Sequence, residues 1–343
     1  MNVQRNVAIA PYTTLRVGGP AARFVECTEQ DELVAAVTAA DETAEPVLVL
    51  GGGSNLVVCD DGFDGTVVRV LTTGEEVRAD GDLLHVTWQA GEPWDDLVAR
   101  CVDEGIAGVE FLSGIPGLAG ATPIQNVGAY GQEVAEAIEA VRVLDRRTGR
   151  VVTLTPDECR FSYRGSAFKG DDRYVVLAVT FGLRRSGESS PVRYAEVART
   201  LGVEEGTRVP LAAAREVVLG LRGGKGMVLM EDDHDTWSAG SFFTNPLVTA
   251  HVAATLPSDA PRWQAADGRV KVSAAWLIER SGFGKGYGAG FAKISTKHTL
   301  ALTNRGGATA SDVLALAREV RDGVRAAFGV ELTPEPILVG EKL

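Results

Sequence analysis

Residues 47–55 read VLVLGGGSN, a short apolar run that ends in three glycines, a serine and an asparagine. We interpret the apolar run as a buried strand. Small consecutive residues let backbone N–H groups point into one concavity that suits a pyrophosphate, although a tight turn between two strands explains the same pattern. The dinucleotide-binding fingerprint G-x-G-x-x-G has glycine at its sixth position. When the pattern is aligned to start at Gly51, the sixth position is Leu56. The segment therefore argues against a Rossmann fold and leaves both interpretations open.

Short strands and helices alternate on both sides of this segment. We predict strands at residues 23–27, 46–50 and 66–71. A helix is predicted at residues 31–40, which are rich in Ala and acidic in the first turn. Together these elements form a small βαβ-like unit that ends near residue 70.

The rest of the chain mixes the same two kinds of element. Apolar spacing predicts strands at residues 84–90, 139–145, 150–155 and 174–183, and helices at residues 95–104, 271–280 and 311–328. For the last helix, Ser311 suits the N-cap and Gly329 suits the stop signal. The glycines and acids of residues 221–235 indicate a boundary between domains.

Length and composition narrow the class of protein. A chain of 343 residues is too long for one ordinary core, and with 45% hydrophobic and 23% charged residues it can bury two or three. The formal net charge of -12 repels polyanions on average. We therefore expect neither a nucleic acid nor a membrane as a partner.

The negative charge is unevenly spread along the chain. Residues 280–311 contain no Asp or Glu but five basic residues, and residues 159–170 contain no acid but three basic residues. Both patterns fit a solvated surface, and both also fit a local pocket for a small anion.

Metal and disulfide chemistry find no support in the sequence. Cys27, Cys59, Cys101 and Cys159 have neither the spacing of a zinc site nor that of a disulfide framework, and the four His residues form no paired motif. We expect no metal and a reducing compartment. The N-terminus lacks a basic-then-apolar signal pattern, and no apolar run approaches the length of a membrane span, so the expected location is the cytoplasm.

A long glycine-rich loop is the first candidate for binding chemistry. Residues 113–131 read SGIPGLAGATPIQNVGAYG and include five glycines. A loop of this length inside a compact domain is usually functional. Ser113, Thr122, Gln125 and Asn126 could hydrogen-bond a ring or a phosphate. An irregular packed loop is the alternative.

Three other segments place a reactive side chain in unusual surroundings. Arg164 lies among aromatic and small residues, where a cation is costly to bury without an anion. Ser241 is framed by Gly240 and Phe242, which would partly desolvate its hydroxyl. Glu335 stands between two prolines that fix the backbone around it. Their ordinary explanations are a surface ion pair, a turn and a solvated tail residue.

Taken together, the segments resemble the UDP-N-acetylenolpyruvoylglucosamine reductase family. The matching pieces occur in family order and span nearly the whole chain: LRVGG (15–19), VLGGGSNLVV (49–58), PGLAGATPIQNVGAYG (116–131), FSYRGSAFK (161–169), AGSFFTNP (239–246), KISTKHTLALTN (293–304) and ELTPEPILVG (331–340). The glycine-rich loop and the GSFF segment are the most specific of these pieces.

The resemblance implies a fold and a set of cofactors. The implied fold is α+β, with a two-part FAD-binding fold of the vanillyl-alcohol-oxidase type and a C-terminal α+β substrate-binding domain. The two FAD-binding subdomains correspond to residues 1–70 and 71–221, the second completed by the tail 331–343, and the substrate domain corresponds to residues 222–330. FAD is implied to be held non-covalently by loop amides, which agrees with the missing Rossmann fingerprint. NADPH is the implied reductant.

The resemblance also implies a reaction, the NADPH-dependent reduction of UDP-N-acetylglucosamine enolpyruvate to UDP-N-acetylmuramate through FAD. Such an oxidoreductase serves peptidoglycan synthesis, and through it cell wall biogenesis, cell shape, cell division and the cell cycle. Its partner is a small-molecule substrate, and no oligomer is required. Two alternatives stay open: a flavin oxidase on the same fold, which would use oxygen, and a non-catalytic nucleotide-binding module, which would hold no flavin.

Residue roles follow from matching positions. Ser241 resembles the proton donor to the substrate, and Arg164 and Glu335 resemble the pair that stabilises the enol-like intermediate. Substrate contacts are expected from Lys225, from Asn245 and from Tyr194, which resembles the tyrosine of a loop that closes on the UDP group in the longer form of the family. The residues that resemble flavin contacts are Gly51, Gly52, Gly53, Ser54, Asn55, Gly117, Gly120, Thr122, Gln125, Asn126, Gly128 and Tyr163.

The chain departs from the family pattern at two places. Thr244 stands where many members have Lys, so that one anion contact is lost or supplied elsewhere. The linker between Lys225 and Ser241 is longer and contains Asp232, Asp233 and Asp235. The second departure weakens the assignment of Lys225.

Overall fold

The computed structural model describes residues 2–265 and 267–343. Strands occur along the whole described chain: β1 (Val3–Ala8), β2 (Pro20–Cys27), β3 (Val47–Leu50), β4 (Leu56–Val58), β5 (Phe63–Val70), β6 (Glu75–Asp80), β7 (Leu83–Gln89), β8 (Ile106–Ala107), β9 (Gly128–Ala129), β10 (Gln132–Glu133), β11 (Ile138–Asp145), β12 (Arg150–Leu154), β13 (Tyr174–Arg185), β14 (Ser238–Ser241), β15 (Leu247–Val248), β16 (Arg262–Gln264), β17 (Val270–Val272), β18 (Ala292–Ile294), β19 (Ala301–Asn304) and β20 (Ile337–Val339). Helices lie between them: α1 (Gln30–Glu42), α2 (Trp94–Asp103), α3 (Pro156–Cys159), α4 (Ala195–Leu201), α5 (Leu211–Gly224), α6 (Ala250–Thr255), α7 (Ala274–Arg280) and α8 (Ala310–Phe328).

The contacts divide the chain into two compact units. The first unit consists of the residues up to Val7 together with Ala22–Gly52 and Asp64–Gly224. The second unit consists of Ala8–Ala21, Gly53–Phe63 and Lys225–Leu343. The glycine run that follows β3 is therefore shared, because Gly51 and Gly52 belong to the first unit and Gly53 to the second.

The first unit contains two larger sheets and the two-stranded sheet β10-β9. One has the strand order β1-β2-β5-β3, and the other has the order β12-β11-β13-β7-β6 with β8 beside β13. The long strand β13 pairs antiparallel with both β11 and β7, which makes it the centre of the larger sheet. The rings of Trp88, Trp94 and Phe181 pack with centroid separations of 5.0 to 6.3 Å and join this sheet to α2.

The second unit packs three small sheets against helices. Their strand orders are β14-β19-β18, β15-β17-β16 and β20-β4. Helix α8 supplies the longest apolar face, where Val313, Leu316, Val320 and Val324 are buried at intervals of three or four residues. This is the spacing at which side chains share one face of a helix.

Most sequence-predicted elements are present, with small shifts of their ends. The strands predicted at residues 139–145 and 150–155 are β11 and β12, which pair antiparallel. The predicted helix at 271–280 is shorter, because residues 270–272 form β17 and α7 begins at Ala274.

Two expectations about the C-terminal part differ from the structure. The N-cap of α8 is Thr309 and not Ser311, since the Thr309 hydroxyl accepts a hydrogen bond from the Asp312 N–H. The C-terminal tail was expected to complete residues 71–221, but β20 pairs in parallel with β4 and belongs to the second unit.

Candidate active site

The first unit brings two glycine segments into close contact. After β3, Gly52 lies so near Gly117 that a Cβ on Gly52 would be 2.8 Å from the Gly117 Cα. A Cβ on Gly51 would meet the Leu118 side chain at 3.4 Å. A side chain at residue 52 would therefore separate the two backbones, so the sequence must have glycine there.

The second unit contains the rest of the glycine run. Gly53 has φ +59°, and a Cβ there would be 2.1 Å from the Tyr12 carbonyl oxygen. The side-chain Nδ2 of Asn55 donates to the Glu335 backbone carbonyl at 3.4 Å. The Ile337 N–H donates to the Asn55 backbone carbonyl at 3.0 Å. These bonds hold Asn55 beside Glu335.

Two predicted flavin contacts also hold the glycine-rich loop in shape. The buried Thr122 hydroxyl donates to the Ala119 carbonyl at 2.8 Å. Buried Asn126 donates to a Glu133 carboxylate oxygen at 2.7 Å and accepts from the Ala135 N–H at 3.1 Å. We conclude that these side chains order the loop, whatever else they bind.

Arg164 occupies a backbone conformation that is rare for its residue type. Its φ is +52°, which lies in the left-handed region where residues other than Gly are uncommon. Its guanidinium donates to the Gly128 carbonyl at 2.7 Å and lies 5.4 Å from the Tyr163 ring centroid. The Lys169 ammonium donates to the Arg164 carbonyl at 3.1 Å. Strained conformations of this kind cluster at functional sites.

Ser241 ends strand β14, where the pairing with β19 is irregular. The register shifts between Ser238 and Ser241, and Gly240 between them has φ +74°. Phe242 and Phe243 next to it are buried, whereas Ser241 itself is half-buried. Its hydroxyl therefore emerges from an apolar backing while it stays reachable.

Glu335 lies alongside the same strand end. Its N–H donates to the Phe242 carbonyl at 2.8 Å, and Pro334 forms a bridge with Phe243. Ser241 and Glu335, which are 94 positions apart in the sequence, are thus brought together inside the second unit. No local pattern in the sequence could give this pairing, because it arises from long-range backbone hydrogen bonds.

The second unit also contains two of the predicted substrate contacts. The side-chain Oδ1 of Asn245 accepts a hydrogen bond from the Ala274 N–H at 2.9 Å, which fixes the start of α7. Half-buried Lys225 directly follows α5. At the departure from the family pattern, the Thr244 hydroxyl donates to the Thr333 carbonyl at 3.5 Å.

Tyr194 lies in the first unit, at the N-cap of α4. Its side chain is 42% exposed, and its ring meets the Tyr130 ring edge-on with a centroid separation of 5.4 Å. The neighbouring Arg193 forms an ion pair with Glu136 at 2.7 Å.

A further residue, His298, lies next to Ser241, with 3.5 Å between its Nε2 and the Ser241 Oγ. No sequence pattern predicted this contact, because the four histidines have no metal-binding spacing and His298 has no motif of its own. The available signal was the place of His298 within the family-like segment KISTKHTLALTN.

Several basic residues of the acid-free stretch are paired with acids from elsewhere. Arg280 pairs with Asp259 at 2.6 Å, and Lys297 pairs with Asp233 at 2.5 Å. A further pair, at 2.5 Å, joins Arg305 to Asp235. For these three residues the pairing with acids of the same chain argues against a free anion pocket, although the Arg305–Asp235 pair is partly buried rather than solvated. Asp233 and Asp235 belong to the longer linker between Lys225 and Ser241. Their bonds attach that linker to residues 296–305.

The ionisation of Asp235 reflects this attachment. Its burial by itself raises the pKa, but hydrogen bonds from the Thr296 hydroxyl and N–H and the charge of Arg305 outweigh that effect, so that the pKa is lowered. A group of this kind stays ionised and holds its partners throughout the neutral range.

Metal and thiol chemistry are not prominent in the described part of the chain. In residues 2–265 and 267–343, no three His, Cys, Asp or Glu side chains gather into a metal site. Burial raises the pKa of Cys27 and Cys159 to about 11 and that of Cys101 to about 12, so these thiols are protonated at neutral pH.

No helix among the described residues has the length and apolar character needed to cross a membrane.

Two family models match the chain. The model described as an FAD binding domain matches residues 21–155. The model described as the C-terminal domain of UDP-N-acetylenolpyruvoylglucosamine reductase matches residues 232–339.

Curated proteins match over nearly the full length. A UDP-N-acetylenolpyruvoylglucosamine reductase from Streptomyces avermitilis is 59% identical, covering 98% of this chain and 94% of the relative. The protein of the same name from Thermobifida fusca is 57% identical, covering 99% and 98%. Among solved structures, UDP-N-acetylenolpyruvylglucosamine reductase from Thermus caldophilus is 28% identical, with a TM-score of 0.69 and coverage of 99% of both chains.

Proposed function

The chain belongs to the UDP-N-acetylenolpyruvoylglucosamine reductase family, and we propose that it reduces UDP-N-acetylglucosamine enolpyruvate to UDP-N-acetylmuramate. It is an FAD-dependent oxidoreductase with an α+β fold, as the sequence analysis expected. The observation that carries the proposal is the identity of 59% over 98% of the chain, which includes the Ser241 and Glu335 segments. We further propose NADPH as the reductant.

The first unit fits an FAD cofactor. The contact between Gly52 and Gly117 gives a backbone surface without side chains, of the kind that a pyrophosphate approaches. We propose that Gly51, Gly52 and the loop from Gly117 to Gly128 hold the cofactor. We propose that these backbone segments hold the cofactor non-covalently.

When bound, FAD supplies the hydride chemistry between the reductant and the enolpyruvyl double bond. As the double bond is reduced at its terminal carbon, electron density moves toward the substrate carboxylate. Fixed positive charge is most valuable at that stage, because it stabilises the transition state more than the ground state. We propose that Arg164 provides this charge and that Glu335 holds the enolic oxygen.

We propose that Ser241 then donates its hydroxyl proton to the adjacent carbon. Serine is a weak acid, so the transfer requires a partner that stabilises the resulting alkoxide. The half-buried position of Ser241 against two buried phenylalanines limits the water that could compete for this proton.

The remaining site assignments are proposals of the same kind. We propose Tyr194, Lys225 and Asn245 as substrate contacts, and Gly53, Ser54, Asn55 and Tyr163 as further flavin contacts. The division into subdomains 1–70 and 71–221 and a substrate domain 222–330 also stays a prediction.

We propose a cytoplasmic location and roles in cell shape and division, supported by four cysteines that form no disulfide.

Two half-reactions test the proposal. We reduce the flavin of the purified protein with NADPH without oxygen, and then add UDP-N-acetylglucosamine enolpyruvate while following the flavin absorbance. We expect bleaching followed by recovery. Ser241→Ala should bleach normally but recover about 10²–10³ times more slowly, as for removal of one transition-state donor. Ser258→Ala, on an exposed serine of the same unit, is the control and should match the parent.

Each other outcome has a definite meaning. Recovery with oxygen alone, at a rate that the sugar nucleotide does not change, would indicate a flavin oxidase. A colourless protein would indicate a nucleotide-binding module. If Ser241→Ala slowed bleaching and recovery equally, Ser241 would not be the proton donor.

A further inference from the structure

The imidazole of His298 lies beside the hydroxyl of Ser241, with 3.5 Å between Nε2 and Oγ. Both side chains are half-buried and belong to the second unit. The backbone fixes their proximity, since Ser241 pairs with Ala301 and the Phe242 N–H donates to the Leu300 carbonyl at 2.7 Å. The turn that carries His298 is therefore attached to the strand that carries Ser241.

The turn itself is braced from within. The Ser295 hydroxyl accepts hydrogen bonds from the N–H groups of Lys297 at 3.0 Å and His298 at 3.2 Å. The Ala301 N–H donates to the His298 carbonyl at 3.1 Å, and the Ser295 N–H donates to the Ala301 carbonyl at 2.8 Å. The backbone of His298 is thus held through both its N–H and its carbonyl.

Two acids from the long linker brace the same turn from outside. Buried Asp235 accepts from the Thr296 N–H at 3.0 Å and also from the Thr296 hydroxyl. Asp233 accepts from the Lys297 ammonium at 2.5 Å. The residues immediately before His298 are therefore anchored to buried or half-buried carboxylates, which limits the positions that the imidazole can take.

We propose that His298 is a positioning residue for Ser241: it holds the serine hydroxyl in the orientation for proton donation and stabilises the alkoxide that donation leaves. The inference rests on the proposed role of Ser241. As the Ser241 proton passes to the substrate carbon, the Nε2–H of His298 donates a hydrogen bond to the developing Oγ anion and keeps its own proton. A proton from solvent then restores the Ser241 hydroxyl, so the proton count balances.

The geometry suits this role for a physical reason. A separation of 3.5 Å is the long end of a hydrogen bond, and such contacts often shorten when the substrate is bound. A serine alkoxide is strongly basic, so a nearby N–H donor in a partly desolvated place lowers the cost of forming it.

The test uses the flavin-loaded protein and three substitutions at or near the pair. His298→Ala should leave flavin reduction by NADPH unchanged and slow recovery with UDP-N-acetylglucosamine enolpyruvate on the order of 10²-fold, the low end for an acid–base group. His298→Gln should restore most of the rate, because its side-chain N–H can donate from a similar place. His251→Ala, on the exposed side of α6, is the matched control and should match the parent.

Three further readouts separate positioning from mere structural support. If His298 acts through Ser241, the double variant Ser241→Ala/His298→Ala should recover no more slowly than Ser241→Ala alone, because the two losses are not additive within one unit of function. The solvent deuterium isotope effect on recovery should rise in His298→Ala, since proton donation then limits the rate. Calorimetric binding of UDP-N-acetylmuramate should stay unchanged.

The outcomes that overturn the inference are distinct from those that overturn the function. Recovery of His298→Ala at the parent rate, or multiplied losses in the double variant, would show that His298 does not act through Ser241. Equal loss of flavin content and of both half-reactions in the Ala and Gln variants would show a structural role only. Normal recovery of Ser241→Ala alone would refute the proposed role of Ser241.

Discussion

Gly52 shows at the scale of one residue how the fold constrains the sequence. Its substitution by Ala places a Cβ 2.8 Å from the Gly117 Cα, where the obstacle is backbone and cannot rotate away. We expect Gly52→Ala to destabilise the protein by about 1–3 kcal/mol, as overpacking does. We also expect a lower ratio of flavin to protein, because the two glycine segments move apart. Urea unfolding and the visible spectrum of the purified protein measure the two effects.

The same substitution at Gly220 is a matched control. Gly220 lies on the exposed face of α5, and a Cβ there meets no atom within 4 Å. Ala is better than Gly in a helix interior by about 1 kcal/mol, so Gly220→Ala should stabilise the protein without changing its flavin content. Loss of flavin in both variants to the same extent would contradict the assignment of Gly52 to the cofactor site.

Ser241 and His298 show what a sequence can and cannot reveal about a site. A serine between glycine and two phenylalanines is a local pattern, so Ser241 could be singled out from its neighbours. The pairing of β14 with β19 places Ser241 beside the turn that carries His298, which lies 57 positions further along the chain. His298 has no local pattern of its own, and only the folded chain shows what its imidazole faces.

At the scale of the element, the start of α8 offers a direct comparison of two candidate caps. The Thr309 hydroxyl accepts from the Asp312 N–H at 3.1 Å, and the Asp312 carboxylate accepts from the Thr309 N–H at 2.9 Å. This reciprocal arrangement is a capping box. We expect Thr309→Ala to cost about 1 kcal/mol of stability, measured as a lower urea midpoint at unchanged slope.

Ser311 provides the control for this prediction. Its hydroxyl donates to Asp60 at 2.6 Å, but the residue lies within the helix, where Ala is favoured by about 0.5 kcal/mol. The gain in helix propensity offsets part of the lost hydrogen bond, so Ser311→Ala should cost less than Thr309→Ala. A larger cost for Ser311→Ala would show that Asp60 and Ser311, rather than the capping box, start the helix.

Helix α5 is the longest of the four helices that no sequence pattern predicted, the others being α3, α4 and α6. Its buried residues Leu211, Ala214 and Val218 do have helical spacing. Because Gly223 and Gly224 are typical of loops, residues 221–235 were predicted to be a boundary between domains. In the structure the helix continues to Gly224. Packing holds it there: Arg215 on α5 makes a bidentate ion pair with Asp95 on α2, at 2.6 and 3.0 Å. Contacts of this kind override local propensity and are invisible in a single sequence.

The predicted strands all belong to the two larger sheets, where burial along several strands is strongly patterned. In β7, residues alternate between buried and half-buried along the whole strand, and the predicted bounds differ from the observed ones by one residue. The centre of β13 is an almost continuous buried run, as expected for a strand covered on both faces. Hydrophobic periodicity therefore predicted the sheet strands but gave no information on which strands pair.

At the scale of the whole molecule, the question is how the cofactor contributes to stability. A ligand that binds the folded chain but not the unfolded chain stabilises it by RT ln(1 + [L]/Kd), about 2.7 kcal/mol at a hundredfold excess over Kd. This relation requires reversible binding. Non-covalent binding of FAD, as proposed above, meets this requirement.

We therefore expect the thermal midpoint of protein stripped of flavin to rise with the logarithm of added FAD beyond Kd. Riboflavin, which lacks the pyrophosphate and the adenosine, should raise it much less if the glycine segments bind the pyrophosphate. Gly52→Ala should reduce the response to FAD while leaving the small response to riboflavin in place. A midpoint that is independent of FAD, together with flavin that stays with acid-precipitated protein, would instead show covalent attachment. Equal responses to FAD and riboflavin would show that the glycine segments do not contribute to cofactor binding.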